Sequence, residues 1–167
     1  MVKKKVCLVG SFAVGKTSLV SRFVQGVFSD KYLTTIGVKI DKRVVSTGAG
    51  EVSLMLWDMA GEERFSHLRT SYLRGASGLI YVADGTRADT LEQATEYAER
   101  VAETEPDTPA VMLVNKADLE SEWDVGGESE IAAKAGDIPF FTTSAKTGDN
   151  VEEAFVTLCE RMLSNDG

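Results

Sequence analysis

Histidine is nearly absent, with His67 the only one in 167 residues. A lone histidine excludes a multi-histidine metal centre and gives little support to a Ser-His-Asp triad. Cysteine is scarce too. Cys7 and Cys159 belong to no CxxC and no Cys/His cluster, which argues against a zinc site or a disulfide framework. Cys7 lies in an apolar run and Cys159 beside the apolar stripe of a C-terminal helix, so buried free thiols in a reducing compartment are expected. No apolar run approaches the ~20 residues that a membrane-spanning helix needs. Positive charge is in deficit: 18 Lys and Arg against 26 Asp and Glu leave a net charge of −8. That balance speaks against broad contact with nucleic acid or anionic lipid. It leaves room for one local anion site built from backbone amides. The opening "MVKKKVCLVG" is basic and then apolar, but its apolar run is too short for a signal peptide and no cleavage site follows. Its lysines are read as the solvated lead-in to a strand.

The length suits one domain over residues 1–167, and 43% hydrophobic with 26% charged residues is ordinary for a packed globular chain. No repeat or low-complexity tract is visible. "VCLV" (6–9), "GLIYVA" (78–83), "AVMLV" (110–114) and "IPFF" (138–141) are short, nearly continuous apolar runs, as strands covered on both faces should be. Between them lie helical patterns. Leu91, Ala94, Ala98 and Val101 share one face of a helix over 87–104, which Pro106 ends. Val151, Ala154, Phe155, Leu158 and Met162 form a second stripe, with Asn150 and Glu153 placed like a capping box. The alternation predicts an α/β fold, a mostly parallel sheet with helices on both faces. It breaks once. "GVKIDKRVVS" and "EVSLMLWD", joined by "TGAG", leave no room for a helix and predict an antiparallel hairpin. Residues 124–129 read as the most flexible internal stretch, and residues after about 163 are expected to fray.

Gly10, Ser11, Phe12, Ala13, Val14, Gly15, Lys16 and Thr17 spell GxxxxGKT between a strand and an amphipathic helix that continues with Ser18. This is the pattern of a phosphate-binding loop, in which successive N–H groups and a helix N-terminus surround an anion. Lys16 brings a mobile ammonium to the outer phosphates and Thr17 a hydroxyl to Mg2+. "NKAD", Asn115 to Asp118, leaves another strand. A carboxylate at Asp118 can accept both the N1–H and the exocyclic amine of guanine, a donor pair that adenine lacks. The Lys116 stem can lie along the base. "SAK" (Ser144, Ala145, Lys146) follows the last strand, where the Ala145 N–H can meet guanine O6. Asp58, in "WDMAG", is placed to hold Mg2+ through water, and Gly61 to offer its N–H to a γ-phosphate. Thr35, in "YLTTIG", is the natural second Mg2+ ligand.

With these motifs in this order, the chain resembles a Ras-superfamily small GTPase, closest to the Rab-like branch. "GSFAVGKTSL", "TTIGV", "WDMAGEERF", "NKADL" and "SAKTGDNVEEAF" carry the resemblance, which covers essentially the whole chain. It implies a P-loop NTPase fold of three α/β/α layers, with a six-stranded, mostly parallel sheet, one antiparallel edge hairpin and about five helices. It also implies GTP and GDP with Mg2+ as ligands, GTP hydrolysis as the activity and a conformational switch between the two forms. Phe28 is expected edge-on to the guanine. Residues 32–37, with Tyr32 and Thr35, and residues 61–73 are expected to meet effectors, an exchange factor and an activating protein. Lys16, Thr35, Gly61 and Glu62 form the expected catalytic set. A monomer is expected, in the cytoplasm.

Two positions depart from the family. Glu62 stands where glutamine usually orients the attacking water; ionised, it cannot donate, and its charge is repelled by phosphates. A pKa raised by those phosphates would instead make it a better base or even a donor, and the plain alternative is an exposed loop acid with ordinary turnover. Phe12 stands where Ras-like proteins often have glycine; it is either simply tolerated, since the loop binds phosphate through its backbone, or it covers the γ-phosphate side against an arginine from a partner. Together they suggest slow or altered hydrolysis, or a GTP-binding interaction module with negligible turnover, which single-turnover phosphate release would separate. A P-loop kinase is the third reading, and copurified adenylate would favour it. Trp57, Ile40 and Leu73 map to a hydrophobic effector triad. Trp123 gains no role beyond loop packing. The chain ends "CERMLSNDG" with no terminal cysteine motif for lipidation. The sequence therefore leaves open whether a lipidated tail, and with it peripheral membrane attachment, belongs to the protein.

Overall fold

The computed structural model describes residues 2–11, 13–26, 38–59 and 70–166. In chain order the elements are β1 (Val2–Gly10), α1 (Lys16–Gln25), β2 (Val38–Thr47), β3 (Gly50–Met59), α2 (Thr70–Leu73), β4 (Gly78–Asp84), α3 (Ala88–Thr104), β5 (Ala110–Asn115), α4 (Glu128–Ala135), β6 (Phe140–Thr142) and α5 (Val151–Asp166). Six strands form one sheet in the order β2-β3-β1-β4-β5-β6. Only β2 and β3 run antiparallel, through the expected hairpin, with Thr47 opposite Gly50 at its tip. The other pairings are parallel.

Helices cover both faces, giving the three layers the alternation predicts. One face carries Leu8, Leu54, Leu56, Val82 and Leu113 against Leu19 and Phe23 of α1 and Phe155, Leu158 and Met162 of α5. Phe23 and Phe155 stack with ring centroids 3.9 Å apart. The other face carries Cys7, Val9, Tyr81 and Met112 against Leu91, Tyr97 and Val101 of α3 and Ile131 of α4. β4 and β5 are buried along their whole length, which is why their sequences show no polar alternation. Both cysteines are buried free thiols; burial pushes Cys7 up to about 12 and Cys159 to about 11, so neither is a ready nucleophile. Among the described residues no helix is long and apolar enough to cross a membrane.

Several boundaries differ from the sequence reading. The N-terminal lysines are not a lead-in but part of β1, and the Lys5 ammonium sits 3.8 Å above the Trp57 ring. β6 begins only at Phe140, after Pro139, which has no N–H for the ladder and contributes its carbonyl to Met112 N–H. Asn150 does not cap α5. It adopts a φ of +59° and its side-chain amide donates to Thr142 O at 2.8 Å. α5 does not stop near 163, since Asn165 anchors it by donating to Asp107 O at 3.2 Å. The 124–129 stretch is stitched down, with Val125 buried, Asp124 N–H on Gly85 O and Gly127 N–H on the Glu130 carboxylate.

β1 has β3 on one side and β4 on the other, so the chain reverses its direction of sheet growth there. In open α/β sheets ligands bind beyond the carboxyl ends of the strands at such a point. Gly10, Asp58, Asp84 and Asn115 all lie at those ends.

Candidate functional site

The β1–α1 loop turns sharply into a helix that begins at Lys16. Gly15 has φ +105°, ψ 22°, and a Cβ there would fall 2.2 Å from Asn115 Nδ2, so only glycine fits. Ala13 also takes a left-handed φ, +62°. Lys16 is not extended into solvent; it is buried, and its ammonium donates to Gly10 O at 2.9 Å across the loop. Ser11 Oγ donates to Gln93 Oε1, tying the loop to α3.

Beside the loop, Thr17 Oγ1 donates to Asp58 Oδ2 at 2.6 Å. Asp58 is 2% exposed, and its second oxygen, Oδ1, is buried with no hydrogen-bond partner among the described residues. Burial raises the Asp58 carboxyl above its ordinary range, against the Thr17 hydrogen bond and the nearby Lys16 charge. A buried carboxylate oxygen without a partner, next to a hydroxyl, is a hard oxygen donor set of the kind that suits Mg2+. Among the described residues there is no cluster of three or more His, Cys, Asp or Glu side chains that could hold a metal. A cation here would therefore rest on few protein ligands, as Mg2+ does when phosphates and water complete its shell.

Asn115 joins the two ends of the site. Its Nδ2 donates to Val14 O in the phosphate loop at 3.1 Å. Its Oδ1 accepts from Thr143 Oγ1 at 3.1 Å and from Ala145 N–H at 3.3 Å. The sequence reading aimed the Ala145 N–H at guanine O6; here it is turned to Asn115, at the long end of hydrogen-bond range. Ser144 Oγ donates to Asp118 Oδ1 at 2.7 Å and so orients that carboxylate, while its own oxygen accepts from Thr147 N–H at 3.1 Å.

Three contributors carry little sequence signal. Asp84, 1% exposed at the end of β4, accepts from Lys116 Nζ at 2.9 Å, Arg87 Nε at 3.0 Å, and the Thr86 N–H and hydroxyl at 2.9 and 2.6 Å. Burial alone would raise its carboxyl, but the bonds from Thr86, Lys116 and Arg87 outweigh it and hold the group below its usual range. Arg22, on α1, donates to Ala145 O at 2.8 Å, to Lys146 O, and to Gly26 O at 3.2 Å. Thr143 is the third, through Asn115. Asp84 could have been suspected as an acid ending an apolar strand; Arg22 and Thr143 could not.

Phe12, Phe28, Tyr32, Thr35, Gly61 and Glu62 lie outside the described residues. The hydrophobic triad needs correction at Leu73, which is 7% exposed and packs in the core with Tyr72. Trp57 is half-buried under Lys5 and edge-on to Tyr72, whereas Ile40, its partner across the hairpin, is 47% exposed.

Comparison with known proteins accords with this geometry. The Ras family model matches residues 5–164. Ras-related protein SEC4 of Saccharomyces cerevisiae is 40% identical over 157 residues, 93% of this chain and 73% of its own. Ras-related protein Rab-13 of Canis lupus familiaris is 37% identical over 165 residues, 98% of this chain and 81% of its own. Rab-10 of Diplobatis ommata is 37% identical over 161 residues, 95% and 80%. The phosphate-type loop, the NKAD and SAK loops joined through Asn115 and the match along nearly the whole length agree: the chain belongs to the Ras family.

Proposed function

We propose that this Ras-family GTPase binds GTP and GDP with Mg2+ in one cleft, formed by a single domain over residues 1–167, and hydrolyses GTP. The observation that carries the reading is the Asn115 side chain, which fixes the phosphate loop at Val14 and the base loops at Thr143 and Ala145 together. Loop amides from Gly10 to Thr17 and the Lys16 ammonium hold the phosphates, the lysine leaving Gly10 O for a phosphate oxygen. Asp118, held by Ser144, accepts the two guanine donors, and Phe28 covers the base. Ala145 N–H makes the longest of the Asn115 bonds and is the one most easily shared with guanine O6. Thr17 and Asp58, with Thr35, would hold Mg2+, which offsets charge on the phosphate oxygens. On this reading Gly61 N–H would meet the γ-phosphate, and the loops carrying Thr35 and Gly61 would respond to its presence.

We further infer that Glu62 slows or alters turnover. Ionised, it cannot donate to the attacking water or a phosphate oxygen, and three phosphates repel it. Phe12 is proposed to cover the γ-phosphate side against an arginine from an activating protein. Effectors, an exchange factor and an activating protein are proposed to meet residues 32–37 and 61–73, with exposed Ile40 beside Trp57 as the apolar contact. The buried free thiols support a reducing, cytoplasmic setting, compatible with peripheral attachment to a membrane.

Chromatography of nucleotide released from freshly purified protein tests the pocket. Guanine nucleotide is expected, and Asp118→Ala should abolish the preference for GDP over ADP. Retained preference in Asp118→Ala would remove the base assignment. Single-turnover hydrolysis by Glu62→Gln should differ at least several-fold from wild type, and equal rates would take Glu62 out of the mechanism. If hydrolysis is negligible in both proteins, the interaction-module reading replaces turnover.

A further inference from the structure

Trp123 is part of a closed circuit that returns to the guanine side of the cleft. Lys116 has a left-handed φ of +73°, which a lysine adopts only when its surroundings hold it there. From it the chain bends, with Leu119 N–H on Lys116 O at 3.0 Å, through the single turn Glu120–Glu122 to Trp123. The indole then seats on Gly85. A Cβ at Gly85 would fall 2.0, 2.3 and 2.5 Å from three carbons of the six-membered ring, so the ring fills the space any other residue would need. Asp124 N–H donates to Gly85 O at 2.7 Å and the indole N–H to Gly126 O at 2.8 Å. Gly85 N–H donates to Asn115 O at 2.9 Å. Its neighbour Asp84 holds Lys116 Nζ at 2.9 Å, which closes the circuit.

We propose that Trp123, seated on Gly85, and Asp84 are positioning residues for guanine nucleotide: they fix the Lys116 stem where it flanks the base and so lengthen the nucleotide's residence. The inference rests on the guanine-pocket reading above. A free lysine side chain explores many rotamers, and each ligand that binds must pay to order it. Anchoring both its backbone and its ammonium beforehand removes that cost and slows departure. The anchor needs the β4–α3 corner to stay put. Two short contacts, the indole on Gly85 and Asp124 on its carbonyl, hold that corner against the segment that carries Lys116. The bland alternative is that Trp123 only fills space beside Val125; its effect would then not depend on Lys116.

The test is the dissociation rate of N-methylanthraniloyl-GDP from the full chain, chased with excess GDP. Trp123→Ala should speed release roughly tenfold, within the span of couplings seen for groups in one network. Trp123→Phe should stay within about threefold of wild type, and Gly85→Ala should reproduce Trp123→Ala. In a Lys116→Ala background, Trp123→Ala should add less than about twofold, because the group it positions is gone. Asp84→Asn keeps the side-chain shape, removes the ion pair and should show the same dependence on Lys116, which keeps the inference testable if Trp123→Ala does not fold. No change in release, or the same acceleration with and without Lys116, overturns the proposal alone. Failure of the wild-type protein to retain labelled GDP overturns the guanine reading and the proposal with it.

Discussion

Asn115 offers the sharpest test of how the two halves of the cleft are joined. Replacing it with alanine removes three hydrogen bonds at once: Nδ2 to Val14 O, and those that Oδ1 accepts from Thr143 and Ala145. Each is worth about 1 kcal/mol net. Asn115 is 2% exposed, so water does not readily replace them, and the expected loss is about 3 kcal/mol. For a chain of this size that is a fall of roughly 6–12 °C in Tm. Asn115→Asp has almost the same shape and should nevertheless be worse at pH 8. One oxygen can still accept from Thr143 and Ala145, but the other then faces Val14 O at about 3 Å with no proton between two acceptors. A neutral carboxylic acid restores the proton. The variant's folded-state pKa is therefore raised above the unfolded value of about 3.9. Its stability is fullest below that value and falls as pH rises through the folded pKa. Thermal unfolding in EDTA at pH 5 and pH 8, with and without GDP, reads all of this. The ranking at pH 8 should be wild type, then alanine, then aspartate, with aspartate regaining ground at pH 5. A loss of under about 1 kcal/mol in Asn115→Ala, or an aspartate variant no worse than alanine at pH 8, refutes the hub.

Gly15→Ala places a Cβ 2.2 Å from Asn115 Nδ2 at φ +105°, costing at least about 2 kcal/mol; GDP-induced thermal stabilisation should vanish, and a normal shift would contradict the loop geometry. Asp58→Asn removes a carboxyl whose raised pKa makes its ionisation unfavourable to folding. The wild-type group favours the fold fully below its unfolded pKa and less as pH rises through the folded one. In EDTA at pH 7.5, Asp58→Asn should therefore melt a few degrees higher than wild type, while Mg2+ no longer strengthens GDP binding; an unchanged Tm, or an intact Mg2+ effect, rejects this. Arg22→Ala frees the two carbonyls, Ala145 O and Lys146 O, through which α1 braces the 145–146 loop, along with Gly26 O at the end of α1, and should speed GDP release about tenfold. Arg22→Lys should recover only part, because one ammonium cannot reproduce the guanidinium fork. Release unchanged in Arg22→Ala removes the brace.

What could be read from the sequence follows from what kind of partner each residue has. The phosphate-type loop was legible because its contributors are contiguous and glycine marks where the backbone must turn. The hairpin was legible because a four-residue gap leaves no room for a crossover, and β4 and β5 because two covered faces erase alternation. "NKAD" and "SAK" could be named, yet their main structural bond, Asn115 to Val14 O, spans 101 residues and ends on a carbonyl. A carbonyl has no sequence signature, since every residue has one. Arg22, which reaches three of them, therefore reads as an ordinary helix cation until the fold brings the 145–146 loop beside α1. The same reason explains the misses. Asparagine before a helix usually caps it, but Asn150 takes a left-handed φ of +59° instead of the extended conformation of a cap, and its side-chain amide N–H goes to Thr142 O. Sequence position alone places Leu73 in a surface patch, whereas the fold buries it. Gly85 and Trp123 are the instructive pair. Neither is unusual alone, and their meaning lies in one lacking the volume the other supplies. Complementarity of that kind is a property of two positions, which a reading along a single chain meets only when the structure sets them face to face.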